Sequence, residues 1–161
     1  MNRRTFLRIG IASIAVLSLA PMTLADIQRK GSMKKIERTP NEWHKILSPE
    51  QFDVLRHAGT ERPFSSPLNK QYSEGTYVCA GCALPLFAST AKFDSGTGWP
   101  SFSTPIEGHT ETQRDFKIIL PRTEYHCARC GGHQGHVFND GPEPTGQRWC
   151  NNGVALKFIP A

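Results

Sequence analysis

Two Cys-x-x-Cys pairs, Cys79/Cys82 and Cys127/Cys130, constrain the fold of this chain more than any other feature of its sequence. A two-residue spacer lets a tight turn direct both sulfur atoms at one ion, and two such turns supply the closed tetrahedral four-sulfur site that holds structural zinc. Gly131 follows the second pair, where a glycine permits the positive φ that such turns need. The pairs therefore predict a structural four-cysteine zinc site that joins two distant segments of the chain.

The same four cysteines have two other interpretations. They could form two disulfides, or each pair could be a redox dithiol of the thioredoxin type. A thioredoxin-type dithiol normally accompanies a βαβ pattern, which this sequence lacks, so a zinc site is the favoured interpretation. Thiolates also bind iron, and the ligand type alone does not distinguish the two metals.

Helix signals are confined to a short region before residue 60, and strand signals follow it. Residues 39–42 and 48–51 are capping boxes with proline at the first helical position, which predicts two short helices. The second helix is expected to end at Gly59. Short β-type runs separated by turn residues then predict strands at 76–79, 116–120, 123–127, 136–138 and 148–158. The predicted fold class is therefore mainly β, with antiparallel strands after short N-terminal helices.

The first 25 residues have the layout of a secretory signal. Arg3, Arg4 and Arg8 precede an apolar run over residues 9–20, and a small-residue cleavage site ends at Ala25. Because that run is shorter than the roughly 17–25 residues that span a bilayer, no permanent membrane anchor is expected. The segment around the paired arginines resembles the twin-arginine export signal, which predicts export of the folded protein to the periplasm. A chance arginine pair in front of an ordinary secretory signal is the alternative.

The basic character of the chain comes mostly from this leader. The whole sequence has a net charge of +5, from 19 Lys and Arg against 14 Asp and Glu. Three of the basic residues and none of the acidic residues lie in residues 1–25, so removing the leader lowers the net charge to about +2. Nucleic acid is therefore not expected as a partner. Residues 26–38 are interpreted as a linker, which leaves 39–161 as one domain, expected to be a monomer.

Cys150 is the fifth cysteine, and an odd count leaves it without a partner once the other four are assigned. Side chains alternate along a strand, so Arg148, Cys150 and Asn152 would share one face while Trp149 and Asn151 point the other way. A cation beside a thiol favours the nucleophilic thiolate, so a thiol of lowered pKa is expected. The alternative is a buried cysteine with a purely structural role.

Three further motifs accompany the cysteines. Gly-Trp-Pro-Ser-Phe occupies residues 98–102, Gly-His-Val-Phe-Asn-Asp-Gly-Pro occupies 135–142, and Arg-Trp-Cys-Asn-Asn occupies 148–152. Together with the Cys-x-x-Cys pairs, they resemble the methionine-R-sulfoxide reductases of the zinc-binding type, over residues 39–160. The resemblance implies a core of two antiparallel sheets, and a thiol-dependent reduction of the R epimer of methionine sulfoxide in oxidised proteins or peptides.

The resemblance also implies roles for individual residues. Cys150 would attack the sulfoxide sulfur and become a sulfenic acid, which is the reversible first step of thiol oxidation. Trp99 would form the wall that receives the S-methyl group, with Phe138 also in contact with the substrate. The catalytic positions around the sulfoxide oxygen and the nucleophile are matched by His133, His136, Asn152, Arg148 and Asp140.

One departure from that family concerns how the sulfenic acid is reduced. Thr97 stands where many relatives carry a second, resolving cysteine. If the four paired cysteines hold a metal, recycling of Cys150 needs an external small thiol or a thioredoxin-like protein.

Two other functions fit parts of the sequence. His109 and Glu111 ahead of Cys127/Cys130 loosely echo a zinc-deaminase signature, although the proline before the cysteine pair is missing. A non-catalytic, zinc-stapled β binding module would use the paired cysteines but would have no need for Cys150 and the histidines.

Overall fold

Two α-helices, nine strands and three short 3-10 turns make up the regular structure of the part of the chain that is described. The structure is a computed structural model, and it describes residues 33–116 and 121–161. The predicted export signal at 1–25 and most of the predicted linker lie outside the described residues. The elements are α1 (Pro40–His44), α2 (Pro49–His57), β1 (Gly75–Cys79), β2 (Pro85–Ala88), β3 (Lys92–Phe93), β4 (Ser101–Phe102), β5 (Thr110–Asp115), β6 (Arg122–Cys127), β7 (His133–Phe138), β8 (Arg148–Asn151) and β9 (Leu156–Pro160).

Both helices begin as their capping boxes predict. The side chains of Thr39 and Ser48 each accept a hydrogen bond from the backbone three residues later, and the reciprocal bonds are also present. Helix α2 ends at His57 and is capped by Ala58, which adopts the left-handed conformation with φ 53°, one residue before the predicted stop at Gly59. A Cβ at Gly59 would lie 2.1 Å from Oδ2 of Asp53, so the exposed Asp53 side chain would have to move. Within the described ranges, no helix combines the length and the apolar character needed to cross a bilayer.

The strands form two antiparallel sheets, which confirms the predicted fold class. The small sheet has the order β2-β1-β9, and the large sheet has the order β3-β4-β8-β7-β6-β5. The run predicted at 148–158 is not one strand, because a 3-10 turn at Gly153–Ala155 carries the chain from the large sheet to the small one. Strand β5, which ends at Asp115, is not predicted from the sequence, where the nearest predicted strand covers 116–120. Phe116 lies outside any strand, and residues 117–120 lie outside the described residues.

An aromatic core joins the two sheets. Phe87 from the small sheet stacks on Phe102 from the large sheet, with ring centroids 4.1 Å apart. Tyr77 meets Phe102 edge to face, and Tyr125 does the same with Trp149. These contacts bury the inner face of the large sheet and place Trp149 inside, as the alternation along β8 predicted. Cys150, the next residue in β8, therefore points to the opposite face.

Candidate functional site

The four paired cysteines converge on one point. Cys79 ends β1 and Cys127 ends β6, and the ligand atoms of the four residues all lie within 4.8 Å of one another. The Sγ atoms of Cys79 and Cys130 are 3.7 Å apart, and those of Cys82 and Cys127 are 3.4 Å apart. Four sulfurs held at about 2.3 Å around one tetrahedral ion would be about 3.8 Å apart. All four are free thiols, so the donor set fits a metal ion and neither pair forms a disulfide.

The turns that hold the sulfurs differ in how they reverse the chain. In the second pair, Gly131 has φ 64° and its N–H donates to the Cys127 carbonyl at 2.8 Å, as the sequence predicts. In the first pair, Ala83 takes the equivalent left-handed position, with φ 58°. Its N–H donates to the Cys79 carbonyl at 2.8 Å. A left-handed conformation is unfavourable for a residue with a Cβ, so the fold around the first pair must hold it in place.

Cys150 lies at a small pocket on the large sheet. The pocket has a volume of about 120 Å³, and the structure brings five of the predicted site residues together there. Those five are Cys150, Trp99, His136, Phe138 and Asn152. The remaining wall is made by residues that sequence analysis did not single out for the site, namely Thr60, Arg122, Gly135 and Asn151.

The pairing of β7 with β8 sets the position of the thiol. His136 is the direct cross-strand partner of Cys150. The preceding residue is Gly135, where a Cβ would overlap the carbonyl oxygen of Cys150. A glycine at this position therefore lets the two strands approach closely behind the nucleophile.

The electrostatics of Cys150 are a balance between burial and a cation. Burial raises the pKa of the Cys150 thiol, and the nearby Arg148 guanidinium lowers it by a smaller amount. The net direction is upward, so the expectation of a thiol of lowered pKa is wrong. The reason is that desolvation disfavours the charged thiolate more than one cation stabilises it here.

Arg148 is itself held from two sides. Its Nε and Nη2 donate to the two carboxylate oxygens of Asp140 at 2.8 and 3.0 Å. Its guanidinium lies 4.3 Å from the ring centroid of Phe138. The Asp140 side chain is 61% exposed and does not line the pocket. Asp140 therefore orients Arg148 from outside the pocket, and its own negative charge also raises the pKa of Cys150.

His136 is oriented by a carboxylate that the sequence analysis missed. Its Nε2 lies 2.9 Å from Oδ2 of Asp115, the last residue of β5, which also accepts a hydrogen bond from Arg122 at 2.7 Å. Because the carboxylate accepts from Nε2–H, Nδ1 is left as the basic nitrogen of a neutral ring. Burial lowers the pKa of His136, and the Asp115 contact opposes this only in part, so the imidazole is neutral at pH 7.

His133 lies next to His136 but does not line the pocket. Their ring centroids are 5.5 Å apart. The Nδ1 of His133 donates to Glu124, which also contacts His126 at 3.0 Å. Burial lowers the pKa of His133 to about 4. Its Nε2 is buried and has no hydrogen-bond partner within the described part of the chain.

Asn152 is committed largely to main-chain groups. Its Oδ1 accepts from the Glu61 N–H at 3.0 Å, and its Nδ2 donates to the Gln134 carbonyl at 3.0 Å. One N–H of the amide remains available to the pocket. The deaminase-like pattern is not assembled, because His109 contacts the Pro85 carbonyl at 2.7 Å and is not part of the cysteine cluster.

The missed residues share one property. Thr60, Arg122, Asp115 and Glu124 reach the site through strand register or through a loop that crosses the sheet, and none of them belongs to a recognisable local motif. The only signal that could have found Asp115 is the strand pattern of β5. Its polar, exposed residues do not alternate with apolar ones, which hides it from a periodicity search.

A mainly β domain with a four-cysteine cluster and a separate pocket thiol defines the class of this protein. The SelR domain family model matches residues 47–160. The chain belongs to the family of peptide methionine sulfoxide reductases called MsrB, which the following similarities show.

Three curated relatives, each named peptide methionine sulfoxide reductase MsrB, illustrate the similarity. The protein of Bradyrhizobium diazoefficiens is 50% identical over 138 residues, covering 85% of this chain and 99% of the relative. The protein of Pseudomonas putida strain GB-1 is 53% identical over 129 residues, covering 80% and 98%. The protein of Methanosarcina mazei is 50% identical over 128 residues, covering 79% and 91%.

Proposed function

We propose that this chain reduces the R epimer of methionine sulfoxide in oxidised proteins or peptides to methionine, with a thiol as the reductant. The observation that carries the proposal is the placement of Cys150. It is the one cysteine of five that stands apart from the four-thiol cluster, and it shares a small pocket with Trp99 and His136. Membership of the peptide methionine sulfoxide reductase family supports the same activity.

The pocket has the two kinds of wall that a sulfoxide requires. A sulfoxide is polar at its oxygen and apolar at its methyl group. The rings of Trp99 and Phe138 are apolar surfaces, whereas His136 and the free amide N–H of Asn152 are polar groups. A site that holds the oxygen and the methyl group on different walls distinguishes the two epimers, because only one of them fits both walls with its sulfur against Cys150.

The proposed step transfers the sulfoxide oxygen to the thiol. The Cys150 sulfur attacks the sulfoxide sulfur, the sulfur–oxygen bond of the substrate breaks, and the oxygen becomes bound to Cys150 as a sulfenic acid. The substrate is reduced by two electrons to methionine, and the thiol is oxidised by two. The proton that leaves the thiol ends on the transferred oxygen, so no outside proton is consumed.

His136 is suited to carry that proton. The ring is neutral at pH 7 and its Nδ1 is the basic nitrogen, so it can accept the thiol proton and then donate it to the oxygen. His133 lies against the ring of His136. Its Nε2, which has no hydrogen-bond partner among the described residues, is a second basic nitrogen near the thiol. The raised pKa of Cys150 agrees with a relay that begins from a protonated thiol.

Regeneration of Cys150 uses an external thiol. The other four cysteines point at one another, and position 97 is a threonine whose hydroxyl bonds to Ser95 at 2.8 Å. Two equivalents of a small thiol, or one dithiol of a thioredoxin-like protein, would convert the sulfenic acid to the thiol and water and leave a disulfide. One equivalent of sulfoxide is added without reductant, and dimedone is then added to trap sulfenic acids. We therefore expect a dimedone adduct on Cys150. A disulfide between Cys150 and one of the paired cysteines would contradict this scheme.

The metal is proposed to be zinc with a structural role. The four thiolates of Cys79, Cys82, Cys127 and Cys130 would fill its coordination shell, so it would supply a cross-link and no open position for substrate. Neither the sulfoxide nor the reductant needs to contact it.

The chain is also proposed to be exported to the periplasm through the twin-arginine route. The support is the sequence of residues 1–25 alone. Folding before transport would let the thiolates bind metal in the reducing cytosol. Replacing Arg3 and Arg4 by lysine should leave the protein in the cytoplasmic fraction. Unchanged export of that variant would contradict the route.

The activity itself is tested with the two separate epimers of a protected methionine sulfoxide and dithiothreitol. We expect only the R epimer to be consumed, and we expect Cys150→Ser to lose turnover while it keeps its metal content and circular dichroism spectrum. Consumption of the S epimer, or turnover by folded Cys150→Ser, would overturn the proposal. Absence of turnover by the metal-loaded wild-type protein with either epimer would favour the non-catalytic binding module.

A further inference from the structure

The carboxylate of Glu61 caps the turn that follows the nucleophile. Its Oε1 accepts the N–H of Gly153 at 2.7 Å, and its Oε2 accepts the N–H of Val154 at 2.8 Å. Gly153 begins the 3-10 turn at which the chain leaves β8 and crosses to the small sheet. The first N–H groups of such a turn have no partner within it, so they need acceptors from elsewhere. One carboxylate supplies both.

The main chain of Glu61 contacts two walls of the thiol pocket. The indole Nε1–H of Trp99 donates to the Glu61 carbonyl at 3.1 Å. On the other side, the Glu61 N–H donates to Oδ1 of Asn152 at 3.0 Å. A single residue therefore bonds to the proposed methyl wall, to a polar wall and to the turn next to Cys150.

The segment that contains Glu61 is held against the turn at Gly153 and against the loop before Trp99. A Cβ at Gly153 would overlap Oγ of Ser66, so the segment that contains Glu61 lies directly against the turn. The same segment is attached a second time beside Trp99, because the N–H of Phe64 donates to the Gly98 carbonyl at 2.7 Å. The backbone next to Trp99 is joined to the Cys150 strand by the pairing of β4 with β8, in which Ser101 faces Cys150. Glu61 adds a second connection, which runs from the Trp99 indole to Asn152 and the turn at Gly153.

We propose that Glu61 is a positioning residue that fixes the orientation of the Trp99 indole relative to Asn152 and the turn after Cys150, and through it the fit of the sulfoxide in the pocket. This inference rests on the proposed function. Glu61 does not touch the reacting atoms, and it acts through the position of Trp99, Asn152 and the turn at Gly153. It explains why a half-buried carboxylate lies near Cys150, although its negative charge disfavours the thiolate.

The negative charge of Glu61 affects the pKa of Cys150, which can be measured and which an uncharged structural residue would not change. Burial raises the pKa of Glu61, and its two N–H donors oppose this shift. The carboxylates of Glu61 and Asp140 raise the pKa of Cys150, and the Arg148 guanidinium lowers it, while His136 is neutral at pH 7. Removal of the Glu61 charge should therefore lower the pKa of the thiol, although it disturbs the pocket.

The test compares metal-loaded, full-length wild-type protein with Glu61→Gln and with Glu50→Gln. Glu50 is an exposed carboxylate in the first turn of α2 whose charge is felt by Glu61, which makes it a matched charge control. A glutamine amide has one oxygen where the carboxylate has two, so one of the two N–H groups faces the amide NH2 and loses its acceptor. We expect kcat/KM for an R-sulfoxide peptide to fall about tenfold or more in Glu61→Gln and to stay unchanged in Glu50→Gln.

Two further measurements separate positioning from general damage. The pH midpoint for iodoacetamide alkylation of Cys150, followed by mass spectrometry, should move downward in Glu61→Gln even though turnover falls. Hydrogen exchange of the Trp99 indole N–H should accelerate, whereas that of Trp149, which donates to the Gln147 side chain at 3.1 Å, should not. A folded Glu61→Gln protein with wild-type kcat/KM and wild-type Trp99 exchange would overturn the proposal.

Two controls keep the outcome interpretable. If Glu61→Gln does not fold, Glu61→Asp retains the charge but cannot reach both N–H groups, so it should lose turnover with an unchanged thiol midpoint. Wild-type turnover by folded Glu61→Asp would also overturn the proposal. If the wild-type protein is itself inactive, the proposed function fails, whereas indole exchange and thiol alkylation still test whether Glu61 positions Trp99.

Discussion

At the scale of single residues, the reactivity of Cys150 depends on opposing contributions that sequence alone can name but cannot weigh. The alternation along β8 placed Arg148 and Cys150 on the same face, and the structure agrees. The alternation could not show that burial raises the pKa of Cys150 by more than the Arg148 guanidinium lowers it. The extent of burial depends on which residues of other elements cover the thiol. The pKa of the thiol is therefore raised where the sequence predicted it to be lowered.

The first prediction concerns Arg148. Replacement by methionine keeps much of the side-chain volume and removes the charge, so the thiolate loses its stabilising cation and the pKa of Cys150 rises further. We expect the pH midpoint for iodoacetamide alkylation of Cys150 to move upward by about one pH unit or more. Arg114→Met, which removes an exposed arginine from β5, serves as the control and should leave the midpoint in place. An unchanged midpoint in Arg148→Met would show that the guanidinium does not act on the thiol.

At the scale of elements, strand β8 is tied to β6 by a polar side-chain contact inside the largely apolar core. Tyr125 of β6 donates its hydroxyl to Oδ1 of Asn151 at 2.6 Å, and both residues are fully buried. The Asn151 amide then donates to the Asn152 carbonyl at 2.7 Å. The contact thus connects β6 with the end of β8, directly beneath the proposed nucleophile.

The second prediction tests that contact. Tyr125→Phe leaves Oδ1 of Asn151 without its donor in a buried position, and we expect the free energy of unfolding of the metal-loaded protein to fall by about 1–3 kcal/mol. Urea unfolding measures this free energy, and its slope against urea concentration should stay the same in the variant. Tyr72→Phe is the matched control, because Tyr72 is 52% exposed, and it should change stability little. Equal stability of the two variants would argue against the contact.

At the scale of the whole molecule, the cysteine cluster joins the two sheets at a single point. Cys79 belongs to the small sheet and Cys127 to the large sheet. Trp43 and Leu55 from the two helices reach the first turn, where a Cβ on Gly81 would lie 3.6 Å from each. A metal bound by the four thiols would therefore hold both sheets and the helical segment at one point.

The third prediction follows from that position. Removal of the metal by a chelator, or by Cys82→Ser, should lower Tm by more than about 10 °C, because metal binding at a site formed only on folding contributes to folding free energy. Metal content by mass spectrometry and Tm by scanning fluorimetry are measured on the same samples. Cys150→Ser should keep both at wild-type values. A metal-free protein with an unchanged Tm would contradict a structural role.

Much of the fold and of the metal site could be predicted because the relevant signals are local. The capping boxes, the two Cys-x-x-Cys turns and the alternation in β8 each depend on residues a few positions apart, and each is present in the structure. Strand β5 was missed because it carries polar residues on both faces. Without the register of β5, neither Asp115 nor its contact with His136 could be found.

The sequence by itself determined the chemistry available to this protein, which is four thiols spaced for one metal and a fifth thiol that shares its strand face with a cation. The tertiary structure alone decided which distant groups act on that fifth thiol. Glu61 meets Gly153 across 92 positions of sequence, and Asp115 meets His136 across 21. Such contacts arise from sheet register and from a segment packed over a turn. Their physical origin is the close packing of separate elements, which leaves no periodic trace in the amino-acid order.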